Sequence, residues 1–314
     1  MDLLRRFRGS LLGLAVGDAL GAPVEFKPRG SFQPITSLRG GGPFNLKAGD
    51  WTDDTSLALC LAESLIVKGG FDPRDQAERY VRWWREGHLS CTGNCFDIGN
   101  TTKASLQTFI DTGNPYSGPT SPETGSNGSL MRLAPVPLFY HDSQLLAVEY
   151  SGLSSKVTHG ASEAVDSCRY LGALTVGTLK GEKKETLTSP RYEPEKGIWN
   201  EKPLTDKVDA VAMGSFRGSE PPEISAKGTA VKTLEAALWA FNMGTSFEEG
   251  CLLAVNLGDD SDTVGAVYGQ LAGAYYGVEE IPTKWLRGLS GIGLIESMAE
   301  NLFKASQKRI LMQD

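Results

Sequence analysis

VGAVYGQLAGAYYG, residues 264–277, repeats glycine every four residues, at Gly265, Gly269, Gly273 and Gly277. A helix returns to the same side about every 3.6 residues, so this spacing places one glycine per turn on a single face. Each interior glycine costs about 1 kcal/mol of helix stability relative to alanine. A face that carries several must gain something, and the obvious gain is close approach of a neighbouring helix backbone. Membrane helices use the same spacing, but this segment is too short and too broken to span a bilayer. GSLLGLAVGDALG, residues 9–21, repeats the pattern with Gly9, Gly13, Gly17 and Gly21. The two segments are expected to form central helices buried against one another.

Helix signals continue on both sides of this pair. Asp72 and Pro73 ahead of RDQAERYVRWW supply an N-cap and a proline at the first helical position, with Asp75 as a capping-box acid. Ser246 and Glu249 form a capping box for a helix expected to run through CLLAVNL to Gly258. ALCLAESLIV, LLAVEYSGL, SEAVDSCRYLGALTVGTL and VKTLEAALWAF each carry an apolar stripe at helical period. Strand-like alternation is scarce. The expected fold is all-α, a compact orthogonal helical bundle with long loops. Residues 181–228, rich in Pro, Lys, Glu and Ser, read as a surface excursion of one domain spanning 1–314, with a short hairpin around Ile198 and Trp199. Residues 94–129 read as a second loop-rich tract.

Composition narrows the function. With 314 residues, 40% hydrophobic and 22% charged, the chain is of ordinary globular type. The formal net charge of −7 argues against a broad nucleic-acid or membrane-surface footprint. MDLLRRFRGSLLGLAVGDAL resembles a signal peptide only superficially, since Gly9, Ser10, Gly13, Gly17 and Asp18 interrupt it. Five scattered cysteines suit a reducing compartment, so a cytoplasmic protein is expected. Cys91 and Cys95 lack the partners of a zinc site. Trp83 and Trp84 are expected to serve packing.

Two acidic stretches carry the chemistry: GDWTDDT at residues 49–55 and GDDSDT at residues 258–263. Each leads into an apolar helix, where Asp, Ser and Thr serve as N-caps. Capping needs one such side chain, and both stretches have carboxylates to spare. If they converge, several carboxylates share a small volume, and cations resolve the repulsion. Oxygen-only ligands select magnesium, manganese or calcium over zinc. An EF-hand is a poor match, because Val264 and Leu271 fall where ligands are needed. A site for two divalent cations is the better inference.

In chain order, GSLLGLAVGDALGAPVEF, GDWTDDTSLAL, FDIGNTT, GSNGSLMRLAPV, THG and NLGDDSDTVGAVYGQLAGA resemble the ADP-ribosylglycohydrolase family over nearly the whole chain, least so at residues 181–228. The resemblance implies an all-α fold whose central cleft holds two Mg2+ or Mn2+ ions. By match to the family motifs, Thr52, Asp53 and Asp54 form one metal cluster, and Asp260, Asp262 and Thr263 the other, with Asp259 a neighbour. Glu25 matches a glutamate near the metals or gating the cleft, and Asp97 an aspartate on the substrate side. Gly125, Ser126, Asn127, Gly128 and Ser129 match a loop that binds phosphate or ribose, where exposed backbone N–H groups would cradle a diphosphate. His159 matches a residue lining the ribose pocket.

The implied reaction is hydrolysis of the bond between ADP-ribose and an acceptor. Cleavage at ribose C1 builds oxocarbenium-like charge, and bound ions would orient the sugar and activate water. Asp53, Asp54 and Asp260 are eligible as general base, with Asp97 and Glu25 as further catalytic candidates. The expected partner is an ADP-ribosylated protein, modified on arginine by analogy with the dinitrogenase-reductase type. Serine, small ADP-ribose conjugates and nucleic acid are alternative acceptors. Rival classes are a non-catalytic ADP-ribose binder, which would tend to lose cluster residues, and a two-metal phosphohydrolase, which would release phosphate or AMP. A monomer away from membranes is expected.

Overall fold

A computed structural model describes residues 2–312, in which fifteen α-helices and three short 3-10 turns account for the regular structure. Among these residues the only β-pairing is isolated bridges, so the architecture is all-α.

The glycine-faced helices are Leu3–Gly21 and Ser261–Tyr276, and both are buried along most of their length. They run antiparallel with their backbones in contact. A Cβ added at Gly9 would lie 2.2 Å from the Gly273 carbonyl oxygen, one at Gly13 2.3 Å from that of Gly269, and one at Gly17 2.0 Å from that of Gly265. The reciprocal additions at Gly265, Gly269 and Gly273 collide as closely with Gly17, Gly13 and Gly9. Polar groups reinforce this seam: the Ser10 hydroxyl donates to the Gln270 carbonyl at 2.8 Å, and the Gln270 amide donates to the Met131 carbonyl at 3.0 Å. Gly277 departs from the pattern. It ends the helix with a φ of +86° and takes no part in the seam.

At its other end the seam brings Gly21 onto Asp262, whose Cα lies 2.3 Å from a Cβ built on the glycine. Asp18, one turn earlier, is thereby delivered to the same region. Ile292–Leu311 packs on the first helix and on Asp53–Lys68, while Ser162–Leu179, Ala230–Met243 and Phe247–Val255 pack on the second.

Several local expectations need correction. The helix begun by Ser246 ends at Val255, before Gly258, and its capping box is only half made. The Ser246 hydroxyl accepts from the Glu249 N–H, but Glu249 reaches to the backbone and hydroxyl of Thr245 instead of back to Ser246. Ile198 and Trp199 sit in a one-turn helix, Ile198–Glu201, not in a hairpin. Residues 181–228 hold three short helices, and Leu187, Trp199, Val208, Phe216 and Ile224 are buried in the common hydrophobic core. The tract at 94–129 contains a regular helix, Asn100–Thr112, that buries Leu106 and Phe109. Trp83 is fully buried, and Trp84 packs beneath the Arg85 guanidinium.

Candidate active site

Two helix N-termini, Asp53–Lys68 and Ser261–Tyr276, point the acidic stretches at one another. Neither boundary residue spends its side chain on capping: Thr52 and Asp260 occupy the N-cap positions, and neither makes a side-chain cap bond. The first helix is capped from elsewhere. Its terminal N–H groups, at Thr52 and Thr55, donate to the Asp18 carboxylate at 2.9 and 3.1 Å, and the Thr55 hydroxyl donates to it at 2.6 Å. Asp18 therefore does the work of an N-cap from the end of the glycine seam, so the carboxylates of Asp53 and Asp54 are not needed for capping.

Asp54 converges with carboxylates from other elements. Oxygen atoms of Asp18, Asp54 and Asp262 lie within 4.8 Å of one another, and so do oxygens of Glu25, Asp97 and Asp262. Asp262 belongs to both groups. Asp54, Asp262 and Glu25 are at least nine-tenths buried, and each has one carboxylate oxygen with no hydrogen-bond partner. Buried acceptors are normally satisfied, and like charges resist confinement. Both features suit hard cations, held by oxygen ligands alone. Thr52 donates its hydroxyl to Asp54 at 3.1 Å, and Thr263 sits at the edge of the cleft.

The acidities carry the same message. Burial first, then Asp97 and the other carboxylates, push Glu25 up to about 10. Asp97 rises to about 8 through burial, with Asp18 and Asp260 adding to it. Asp53, Asp54 and Asp262 are all raised well above the usual carboxylate range, burial again leading. Burial also raises Asp260, against hydrogen bonds from Asn127, Thr263 and Asp262 that favour its charged form.

The carboxylates form one wall of a cleft of about 650 Å3. Asp53, Asp260, Asp262, Glu25 and Asp97 face it, as do Ser126, Asn127, Gly128 and His159. Single bridges tie the loops together. Lys27 pairs with Asp259, which ties the Glu25 loop to the second acidic stretch, and Ser126 pairs with Thr229 at the start of Ala230–Met243. Asn127 ties its turn to the second acidic stretch, donating its amide to Asp260 at 2.7 Å and to the Thr233 hydroxyl at 2.8 Å. Three non-glycine residues at the rim adopt the left-handed conformation: Phe26 at φ +62°, Asp97 at +57° and Asp259 at +50°. Strain of this kind, on the order of 1 kcal/mol or more per residue, gathers at functional sites.

Not every expected residue reaches the cleft. Ser129 turns inward and hydrogen-bonds the Ser155 hydroxyl at 2.8 Å. Gly125 contributes a carbonyl that accepts from the Ala230 N–H at 3.0 Å. Thr52 and Asp54 lie behind the cleft surface, beside Asp18. Sequence reasoning missed Asp18, although an acid in the middle of a buried glycine-faced helix is itself a signal. It also missed Phe26, 64% exposed at the lip, and Lys227, the one basic side chain facing the cleft among the described residues.

A family model described as ADP-ribosylglycohydrolase matches residues 1–311. The chain is 41% identical to the ADP-ribosylarginine hydrolase Tri1 of Serratia proteamaculans (strain 568), covering 96% of this chain and 80% of that one. It is 30% identical to the ADP-ribosyl-[dinitrogen reductase] glycohydrolase of Rhodospirillum rubrum, covering 90% of each. A solved structure titled ADP-ribosylglycohydrolase-related protein complex superimposes with a TM-score of 0.85 at 45% identity, covering 97% of this chain and 99% of that one.

Proposed function

This chain belongs to the ADP-ribosylglycohydrolase family, and from that premise we propose that it hydrolyses the bond between ADP-ribose and the guanidino nitrogen of a modified arginine on a protein. The observation that carries the reading is the pair of carboxylate groups sharing Asp262, beside a cleft that Ser126, Asn127 and His159 also line. The carboxylates suit the scissile sugar, and the Ser126, Asn127 and His159 side chains the remainder of an ADP-ribose. Two relatives at 41% identity are named ADP-ribosylarginine hydrolases, which favours arginine as the acceptor.

The residues proposed to hold two divalent cations, Mg2+ or Mn2+, are Thr52, Asp53, Asp54, Asp260, Asp262 and Thr263. Glu25 and Asp97 close the second carboxylate group. When bound, such ions supply positive charge that orients ribose hydroxyls and acidifies water. The chain's own side chains do the rest. Of the three aspartates eligible as base, Asp54 is turned towards Asp18 and Thr52, and Asp260 is held by Asn127. Asp53 faces the cleft with no side-chain hydrogen bond among the described residues, so it takes the proton from the attacking water. The water oxygen bonds to ribose C1, the carbon–nitrogen bond breaks, and the departing guanidine takes the proton that Asp53 removed from the water, which restores the carboxylate. The Ser126–Gly128 turn and His159 hold the sugar and diphosphate while this happens. The reading extends to a monomeric cytoplasmic enzyme, in keeping with five unpaired cysteines.

Arginine-linked and serine-linked ADP-ribosyl proteins, each incubated with Mg2+, Mn2+ or chelator and followed by mass spectrometry, test this. Free ADP-ribose and intact arginine are expected from the first substrate, with loss of turnover in chelator. Release from serine alone would overturn the acceptor, and release of AMP or phosphate would overturn the reaction.

A further inference from the structure

Arg132 is fully buried and has no carboxylate within ion-pair distance among the described residues. Its guanidinium donates to the Gly128 carbonyl at 3.1 Å and to the Thr158 hydroxyl at 2.7 Å, and lies 4.4 Å from the centre of the Tyr80 ring. Taking a charge out of water without a counter-ion costs several kcal/mol. A neutral side chain would fill this space more cheaply, so the question is what the guanidinium does to the groups it touches.

The Thr158 hydroxyl also lies 2.8 Å from His159 Nδ1. On the far side of the ring, Nε2 lies 3.0 Å from the Ser126 hydroxyl, which donates to the Thr101 hydroxyl at 3.1 Å. A guanidinium only donates, so Thr158 accepts from Arg132. The O–H of Thr158 is then left to donate to Nδ1, its remaining partner. Nδ1 must accept, the ring proton belongs on Nε2, and Nε2–H donates to Ser126. The ring packs over Gly128, where a Cβ would lie 2.9 Å from its Cε1 atom, so a side chain at that position would displace it. Burial, helped by the Arg132 charge, lowers His159 to about 3, which keeps the imidazole neutral. His159, Ser126 and Thr101 all face the cleft.

We propose that Arg132, acting through Thr158, is a positioning residue that fixes His159 as its Nε2–H tautomer and so orders a row of donors that runs from His159 through Ser126 to Thr101 and leaves the Thr101 O–H for an oxygen atom of ADP-ribose. The identity of the ligand rests on the function proposed above; the tautomer does not.

The test uses 15N-labelled full-length protein without substrate. Long-range proton–nitrogen correlations report the tautomer of each imidazole, and His159 is assigned by the signals that His159→Gln removes. The wild type is expected to show an Nε2–H pattern that persists through the range, near pH 6.5, where an ordinary imidazole titrates. Thr158→Val, similar in shape but without the hydroxyl, is expected to shift the pattern towards Nδ1–H and to weaken calorimetric ADP-ribose binding about tenfold. Arg132→Met is expected to do the same, and if it fails to fold, Thr158→Val decides alone. An Nδ1–H wild type, or an unchanged pattern in Thr158→Val, overturns the relay; unchanged ADP-ribose affinity overturns the donor row. A protein that shows the relay but releases no ADP-ribose keeps this inference and loses the proposed reaction.

Discussion

The Asp18 carboxylate accepts from the Thr52 and Thr55 backbones and from the Thr55 hydroxyl, while its neighbour Asp54 keeps one oxygen without a donor. Their asparagine variants should therefore move stability in opposite directions. Asp18→Asn turns an amide N–H towards groups that themselves donate, and is expected to cost about 2 kcal/mol in urea melts run with chelator. Asp54→Asn removes a buried like charge, and is expected to stabilise the ion-free protein by on the order of 1 kcal/mol. It should also cut ADP-ribose release about a hundredfold or more. An Asp54→Asn protein less stable than wild type without ions would refute the like-charge account. Asp54 was legible in the sequence because its surplus carboxylates sit beside one another. Asp18 gave a signal, an acid on a glycine-faced helix, but its role was not legible, since its partners lie 34 and 37 residues away and only the fold brings them to it.

At the scale of the element, the seam between Leu3–Gly21 and Ser261–Tyr276 rests on missing side chains. A methyl group at Gly269 would fall 2.0 Å from the Gly13 carbonyl oxygen, where only backbone could give way. Gly269→Ala is expected to destabilise by about 3 kcal/mol, outweighing the roughly 1 kcal/mol that alanine contributes to helix propensity. Gly293, near the start of Ile292–Leu311, has open space around it. Gly293→Ala should leave the unfolding midpoint unchanged or slightly raised, and equal losses at the two positions would rule out backbone contact as the cause. This seam could be read from spacing, because a glycine on every turn of one helix face weakens the helix unless a second backbone lies against it. Asn100–Thr112 could not. Its first turns, NTTKAS, combine capping residues with poor helix formers, and its stability comes from burying Leu106 and Phe109 against neighbours the sequence does not specify. The buried aromatics of residues 181–228 were hidden in the same way by a polar average composition.

For the molecule as a whole, the carboxylates make stability depend on pH. Glu25 and Asp97 are pushed up to about 10 and about 8, by burial before charge. The folded chain thus holds protons that the unfolded chain, titrating near pH 4, has already released. The contribution of these groups is favourable at low pH and is lost as pH rises towards their folded values. In chelator, the calorimetric midpoint is expected to fall between about pH 5 and 8, and Mg2+ or Mn2+ should flatten that slope by replacing the protons. Equal slopes with and without ions would show that cations do not occupy the site. The glycine seam has one further consequence, for how such a protein can change over generations. It ends on Asp262, the carboxylate common to both groups, so the distance between the two helices also sets the spacing of those groups. A lineage exploring new acceptors has almost no room to alter that spacing gradually, because the backbones already touch. Its freedom lies at the rim, where Phe26 and Lys227 stand exposed and can be exchanged one at a time while the chemistry beneath is inherited intact.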